Sequence, residues 1–256
     1  MPLKTKRMPV LFVGHGSPMN GIEDNEFSRA WTKVAQDIPR PKAILSISAH
    51  WETEGTRVTS MERPKTIHDF YGFPPELYAM QYPASGSPEL AAEVSKLVGA
   101  KQDTGWGLDH GTWIVLTKMF PKAEVPILQL SLDADLVPEG HFKLGRKLSA
   151  LRDKGVLILG SGNIVHNLMM MDPKGDAYEW AQGFDSLVND RILKGEFEDL
   201  VHYERLGEPA RLSIPTNEHY LPMLYALSLK EKDEPLEFFA EGMVLGSISM
   251  RSLKLG

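Results

Sequence analysis

Three hydrophobic runs of the chain each lead to a histidine: Val10-Leu11-Phe12-Val13-Gly14-His15, Ala43-Ile44-Leu45-Ser46-Ile47-Ser48-Ala49-His50 and Val156-Leu157-Ile158-Leu159-Gly160-Ser161-Gly162-Asn163-Ile164-Val165-His166. Near-continuous apolar runs of this kind are typical of parallel strands that are buried on both faces. In an open α/β sheet the ligand site lies outside the carboxyl ends of such strands. Three imidazoles delivered to that edge indicate a metal site, and with it an enzyme.

Helical and strand patterns alternate along the rest of the chain, which indicates βαβ units. Helical spacing covers residues 26–38, 89–98, 111–120, 139–154, 178–193 and 220–229, and further strands are predicted over 125–132, 236–239 and 247–253. The last two strands follow one another without a helix, so we expect part of the sheet to be antiparallel. The sequence therefore predicts an α/β fold. We expect residues 1–256 to form a single domain whose central, mostly parallel mixed sheet is flanked by helices on both faces.

The composition narrows the class of protein. Hydrophobic residues make up 42% of the 256 residues and charged residues 24%, which is typical of a globular protein. The net charge of −6 is spread along the chain, so we expect no nucleic-acid partner. No run is long enough for a membrane span and the N-terminus does not resemble a signal peptide, so we expect a cytoplasmic protein without membrane contact.

The chain contains no cysteine. This excludes disulfide bonds, a thiolate nucleophile and iron–sulfur clusters held by thiolates. Any metal ion must therefore be bound by nitrogen and oxygen atoms.

His15 and His50 are the first candidate metal ligands. Consecutive parallel strands are neighbours about two-thirds of the time, and neighbouring strands lie about 4.8 Å apart. We therefore expect the two histidines to reach one ion. A histidine in an ordinary strand-end turn remains the alternative for His15, and a core histidine bound to a backbone carbonyl the alternative for His50.

The other histidines have more open roles. His166 is a ligand, an acid/base group beside the metal, or a plain helix-end residue. Either Glu218 or His219 completes the set, because two histidines and a carboxylate mark non-haem Fe(II) sites and three histidines with water mark catalytic zinc. His110 either meets a substrate oxygen or packs between Trp106 and Trp113.

Residues 62–88 are rich in proline, glycine and aromatic residues, and a loop this long is usually functional. We predict that it forms a pocket wall or lid, with His68 either lining it or paired with Asp69 at the surface. His141 and His202 lie in polar helical patterns, and we expect both to be solvated.

Six motifs, in their order and spacing, make the chain resemble the class III extradiol ring-cleavage dioxygenases, in the branch of the DOPA 4,5-dioxygenases and their bacterial relatives. The motifs are Gly14-His15-Gly16-Ser17-Pro18, Ser48-Ala49-His50-Trp51, Thr66-Ile67-His68-Asp69-Phe70, Leu108-Asp109-His110-Gly111, Ser161-Gly162-Asn163-Ile164-Val165-His166-Asn167 and Glu218-His219-Tyr220-Leu221-Pro222.

The resemblance implies a ligand set and a reaction. His15, His50 and His219 would bind the metal, and His166 matches a position that serves as an acid/base in some members and as a further ligand in others. His110 matches a second active-site histidine near the substrate. The implied reaction cleaves the ring of a catechol such as L-DOPA beside its two hydroxyls (4,5-cleavage), with both atoms of O₂ entering the product.

The resemblance also implies an Fe(II) cofactor, although Zn(II) is able to occupy such a site in purified protein. The implied partners are a small catechol and O₂. An aromatic lid would hold the ring; its members are Phe70, Tyr71, Phe73, Tyr78 and Tyr82. Two alternatives remain: a zinc-dependent hydrolase on the same histidines, and a metal-binding relative without catalysis.

Overall fold

The computed structural model describes residues 7–256, where ten strands form a central sheet of eight and a separate pair. The strands are β1 (Val10–Gly14), β2 (Ala43–Thr53), β3 (Arg57–Thr59), β4 (Lys101–Asp103), β5 (Ile127–Asp133), β6 (Val156–Gly162), β7 (Leu236–Ala240), β8 (Met243–Val244), β9 (Ile248–Ser249) and β10 (Ser252–Leu255). The helices are α1 (Glu26–Asp37), α2 (Pro75–Ala79), α3 (Pro88–Val98), α4 (His110–Met119), α5 (Pro138–Arg146), α6 (Ser149–Asp153), α7 (Glu179–Lys194), α8 (Phe197–Val201), α9 (Glu208–Ser213) and α10 (Leu221–Ser228).

The eight strands of the central sheet lie in the order β4-β3-β5-β2-β6-β1-β10-β7, and β8 with β9 forms the separate pair. The four central strands, β5, β2, β6 and β1, are mutually parallel. β10 pairs antiparallel to β1, and β7 pairs antiparallel to β10. The predicted α/β fold is confirmed, including its mostly parallel sheet and its antiparallel closing strands.

The expectation that the first two strong strands lie side by side is wrong. β6 inserts between β1 and β2, pairing in parallel with both. The backbones of β1 and β2 are therefore about two strand spacings apart, close to 10 Å. His15, which follows β1, and His50, near the end of β2, can meet only by reaching over the end of β6, which finishes in the small residues Gly160-Ser161-Gly162.

Two hydrophobic cores cover the two faces of the sheet. Alternate residues of β1 divide between them, with Val10 and Phe12 in one core and Leu11 and Val13 in the other. The first core is closed by helices that include α5, α7 and α10, and the second mainly by α1 and α4. Helices on both faces explain why the central strands are apolar throughout rather than alternating.

β2 is longer than its hydrophobic run predicts. Its pairing with β6 ends at Ser48, and its register against β5 shifts between Ile47 and Glu52 before the strand ends at Thr53. His50 therefore lies within an irregular extension of β2, at the point where the strand has left β6. A bulge of this kind redirects side chains at the sheet edge.

His141 is buried, so the prediction that it is solvated is wrong. The residue is 1% exposed, and its Nδ1 lies 3.0 Å from the hydroxyl of Tyr225 on α10. The polar residues around it in sequence form the outer face of α5, while His141 itself points inward. His202 is partly exposed and contacts Glu198.

Within residues 7–256, no helix combines the length and the apolar character that crossing a lipid bilayer requires. The prediction of one domain over 1–256 stays a prediction, and residues 1–6 lie outside the described part of the chain.

The buried His141 predicts a pH dependence of stability. Burial lowers the pKa of His141 to about 4, against 6.5 for an unburied imidazole. Below pH 6.5 the unfolded chain therefore gains a proton that the folded chain accepts only near pH 4, so stability falls over this window. The cost is about 2 kcal/mol at pH 5 for this one group. In His141→Gln, which retains a polar partner for Tyr225, the drop in unfolding free energy between pH 7 and pH 5 should shrink by that amount, as measured by urea unfolding. An unchanged drop would contradict the assignment.

Candidate metal centre

Five histidine rings meet at the carboxyl edge of the central strands. They are His15, His50, His110, His166 and His219. Ligand atoms of His15, His50 and His110 all lie within 4.8 Å of one another, and those of His166, Glu218 and His219 form a second such group. The ring of His219 joins the groups, because its centroid is 5.3 Å from that of His15 and 4.9 Å from that of His50.

A serine on β6 fixes the proton of His15. The Nδ1 atom of His15 lies 3.0 Å from Oγ of Ser161, and the Ser161 hydroxyl donates to the carbonyl of Gly111 at 2.5 Å. Because a carbonyl only accepts, the Ser161 oxygen must accept its second hydrogen bond from Nδ1–H of His15. Nε2 of His15 is therefore unprotonated, which is the form that coordinates a metal.

His50 faces His15 across the end of β6. Their Nε2 atoms are 3.0 Å apart. The ring of His50 has room because residue 111 on α4 lacks a side chain. A Cβ at Gly111 would lie 2.6 Å from Oγ of Ser48 and 2.9 Å from Cδ2 of His50.

His110 is the first residue of α4, and Asp69 holds it from the loop. One carboxylate oxygen of Asp69 accepts the backbone N–H of His110 at 2.8 Å, and the other lies 2.8 Å from its Nδ1. The preceding Asp109 caps the helix and is buried, where it also accepts hydrogen bonds from Ser48 and Gln129. The ring of His110 packs on His50, with centroids 3.9 Å apart, rather than between two tryptophans.

His219 is held by the residue before it. Oε1 of Glu218 lies 3.1 Å from Nδ1 of His219, and Nε2 of the buried His219 has no hydrogen-bond partner among the described residues. The backbone of His219 packs against the end of β6, where its carbonyl accepts the N–H of Asn163 and would collide with any side chain at position 162. In this structure Glu218 therefore orients the histidine.

His166 stacks on His219. The two rings are nearly parallel, at 7°, with centroids 3.4 Å apart. The backbone N–H of His166 donates to the carbonyl of Ser213, which fixes the position of the residue.

Burial lowers the pKa of the central histidines. The pKa values of His15, His50 and His219 lie well below 6.5, first because burial disfavours the charged ring and then because neighbouring histidines repel the charge. Burial lowers the pKa of His166 to about 4. At neutral pH these rings are uncharged, which is the form that binds a metal.

For Asp69, burial is not the effect that decides the direction of the pKa shift. Burial alone would raise the pKa of its carboxyl, but the hydrogen bonds and charge of His110 and the charge of His50 outweigh burial and hold the pKa below its usual value. Burial raises the pKa of Asp109, and the negative charge of Asp69 adds to the effect. Asp69 is thus the stable anion beside the cluster.

The donor set fits a metal ion. Nε2 of His15 carries no proton and lies 3.0 Å from Nε2 of His50, a separation close to that of two imidazole nitrogens bound to one ion. The buried and unpartnered Nε2 of His219 is a further open lone pair at the same edge. All of these donors are nitrogens, in agreement with a chain that has no cysteine sulfur to offer.

The aromatic loop is only partly the predicted lid. The ring of Phe70 packs edge-on against His110, with centroids 5.6 Å apart. Tyr82 is buried and donates to the carbonyl of Phe120, so it belongs to the core. Tyr71 is 91% exposed. His68 does not pair with Asp69, because its Nε2 contacts the carbonyl of Met80 instead.

Comparisons with known proteins agree with this geometry. Residues 9–250 match the model of a family described as the catalytic LigB subunit of aromatic ring-opening dioxygenase. The chain belongs to this family. Its dioxygenases depend on a metal ion, and the histidine cluster supplies a site for one.

Similar proteins span almost the whole chain. The chain is 48% identical to the 4,5-DOPA dioxygenase extradiol of Escherichia coli K12, over 99% of this chain and 97% of the relative. It is 36% identical to the protein of the same name from Beta vulgaris, over 95% and 94%. The crystal structure of protein JW3007 from Escherichia coli K12 superposes with a TM-score of 0.86 at 44% identity, covering 98% of this chain and all of that one.

The close approach at residue 111 predicts an effect of one methyl group on metal binding. Gly111→Ala places a Cβ against Ser48 and His50, so we expect His50 to shift and Zn(II) affinity to fall by about 10- to 100-fold. Gly183→Ala is the matched control, because it adds the same methyl group to an exposed position of α7 with open space around it. The control should bind Zn(II) as the unmodified chain does and gain roughly 0.5–1 kcal/mol of stability. Equal affinities for all three proteins, by competition with a chromogenic chelator, would show that His50 does not bind the metal.

Proposed function

We propose that the chain is an Fe(II)-dependent extradiol dioxygenase that cleaves the ring of a catechol, with L-DOPA as a substrate. The observation that carries the proposal is the meeting of His15, His50 and His219 at the edge of the sheet. The Nε2 atoms of His15 and His50 are 3.0 Å apart, and the ring centroid of His219 is 5.3 Å from that of His15 and 4.9 Å from that of His50. Membership of the ring-opening dioxygenase family supports the reaction. The names of the Escherichia coli and Beta vulgaris relatives support the substrate.

His15, His50 and His219 are the proposed ligands. Nδ1 of His15 faces Ser161 and Nδ1 of His219 faces Glu218, while Nε2 of His50 lies 3.0 Å from Nε2 of His15. These contacts support metal binding through Nε2 in each of the three rings. When bound, Fe(II) binds and acidifies the two catechol hydroxyls and provides the one-electron chemistry with O₂ that Zn(II) lacks.

His166 is proposed as an acid/base group and not as a ligand. A ring nitrogen binds a metal in the plane of its ring. The rings of His166 and His219 are nearly parallel, with centroids 3.4 Å apart, so their nitrogens lie in stacked planes and do not point at one position as two ligands of a shared ion would. His166 remains within reach of a substrate held beside His219.

His110 is proposed as the base that receives a catechol proton. Its Nδ1 is held by Asp69, and its ring packs on His50, so Nε2 faces the cluster. A ring nitrogen that carries no proton is the group that a general base needs. Phe70, which packs on His110, provides an apolar surface beside the same position and limits the access of water.

The reaction can be tested by oxygen uptake. The chain is loaded anaerobically with Fe(II), mixed with L-DOPA and then exposed to O₂. We expect stoichiometric O₂ consumption and a yellow ring-opened product in which two oxygen atoms derive from ¹⁸O₂, by mass spectrometry. The same protein loaded with Zn(II) is the matched control and should consume no O₂. No uptake by iron-loaded protein with L-DOPA or any of a panel of other catechols would contradict the dioxygenase; uptake with other catechols alone would contradict only the substrate.

A further inference from the structure

The carboxylate of Asp69 lies on the Nδ1 side of two rings of the histidine cluster, those of His110 and His50. We propose that Asp69 is a positioning residue that fixes the proton of His110 on Nδ1 and so keeps Nε2 of His110 free to accept a proton. The catalytic meaning of this arrangement rests on the proposed function, in which His110 is the base.

Both oxygens of Asp69 bind the same residue. Oδ1 accepts the backbone N–H of His110 and Oδ2 accepts Nδ1–H, each at 2.8 Å. The two contacts fix the carboxylate against both the start of α4 and the ring. Because an ionised carboxylate only accepts hydrogen bonds, the ring proton must lie on Nδ1.

The same oxygen also faces the proposed ligand His50. Oδ2 of Asp69 is 3.7 Å from Nδ1 of His50, which is too long for a hydrogen bond. The negative carboxylate is still close enough to attract positive charge on the ring of His50. One carboxylate therefore lies on the Nδ1 side of both rings, whose centroids are 3.9 Å apart. Its main contact is with His110.

Asp109, the carboxylate next to His110 in the sequence, cannot replace Asp69. Asp109 is fully occupied by Ser48, Gln129 and the N–H of Thr112. Asp69 comes instead from the long aromatic loop, which is fixed beside it by two further hydrogen bonds. These run from the N–H of Ile67 to the carbonyl of Leu108, and from Nε1 of Trp113 to the carbonyl of Ile67.

An asparagine at position 69 would invert the proton arrangement. Its carbonyl oxygen would still accept the backbone N–H of His110, and its amide group would then donate to Nδ1. The ring proton of His110 would move to Nε2, where the ring donates and no longer accepts. The substitution changes neither the size of the side chain nor the number of its hydrogen bonds.

The first test measures the proton directly in the unmodified chain. With ¹⁵N-labelled histidine, ¹H–¹⁵N spectra at pH 8 of the Zn(II)-loaded protein distinguish Nδ1–H from Nε2–H rings, and the signals missing in His110→Gln identify His110. We expect His110 to carry its proton on Nδ1 alone. A proton on Nε2, in a neutral or a doubly protonated ring, would overturn the proposal. Because no substrate or O₂ is present, the result is independent of whether the chain is a dioxygenase.

The second test compares Asp69→Asn with Asp103→Asn. Asp103, the last residue of β4, is a matched control, since its carboxylate also accepts backbone N–H groups, from Gly105 and Trp106, and contacts none of the clustered histidines. We expect Asp69→Asn to show the Nε2–H ring at His110 and kcat about 10²- to 10⁴-fold lower with L-DOPA. Its affinity for Zn(II) should stay within about tenfold of the unmodified chain, because the contact with His50 is not a hydrogen bond. The control should change none of these.

A merely structural role gives a different pattern. If Asp69→Asn retained the Nδ1–H ring, or lost activity only in proportion to its metal content, the proposal would be wrong. A correct shift of the proton in a protein without dioxygenase activity would leave the positioning role intact and would contradict the proposed function instead.

Discussion

In His15, His110 and His219, the partner of Nδ1 determines whether Nε2 is free to bind a metal ion or accept a proton. Ser161 accepts from His15, Asp69 from His110, and Glu218 lies against Nδ1 of His219. Each contact leaves Nε2 of its ring to face another partner. A metal ion that binds these nitrogens only in the folded chain also stabilises the fold.

The small side chains at the end of β6 allow the histidines to come together. The strand lies between β1 and β2 and ends in residues so small that His15 and His50 meet above it, with Nε2 atoms 3.0 Å apart. Ser161 binds one of these histidines, and Gly162 lets the backbone of His219 pack against the strand. The β6 strand thus organises all three proposed ligands, although it contributes none of them.

The apolar runs predicted the central strands and placed His15 and His50 at the correct edge, because burial on both faces leaves a clear pattern. Strand order was not predictable in the same way. Whether β6 lies between β1 and β2 depends on packing of distant segments, and the rule that consecutive strands pair failed here. His141 shows the same limit, since its polar neighbours in sequence lie on the other side of α5.

Asp69 and Ser161 were not predicted as site residues, because their roles depend on contacts with residues far away in the sequence. Asp69 binds His110, which is 41 positions away, and Ser161 binds His15, which is 146 positions away.

The most direct test is a crystal structure of the Fe(II)-loaded chain, grown without O₂, with the ion located by its anomalous scattering. One ion about 2.0–2.2 Å from Nε2 of His15, His50 and His219, with every Nδ1 still facing its oxygen partner, is the predicted result. An ion bound through any Nδ1, or through the carboxylate of Glu218, would contradict the account.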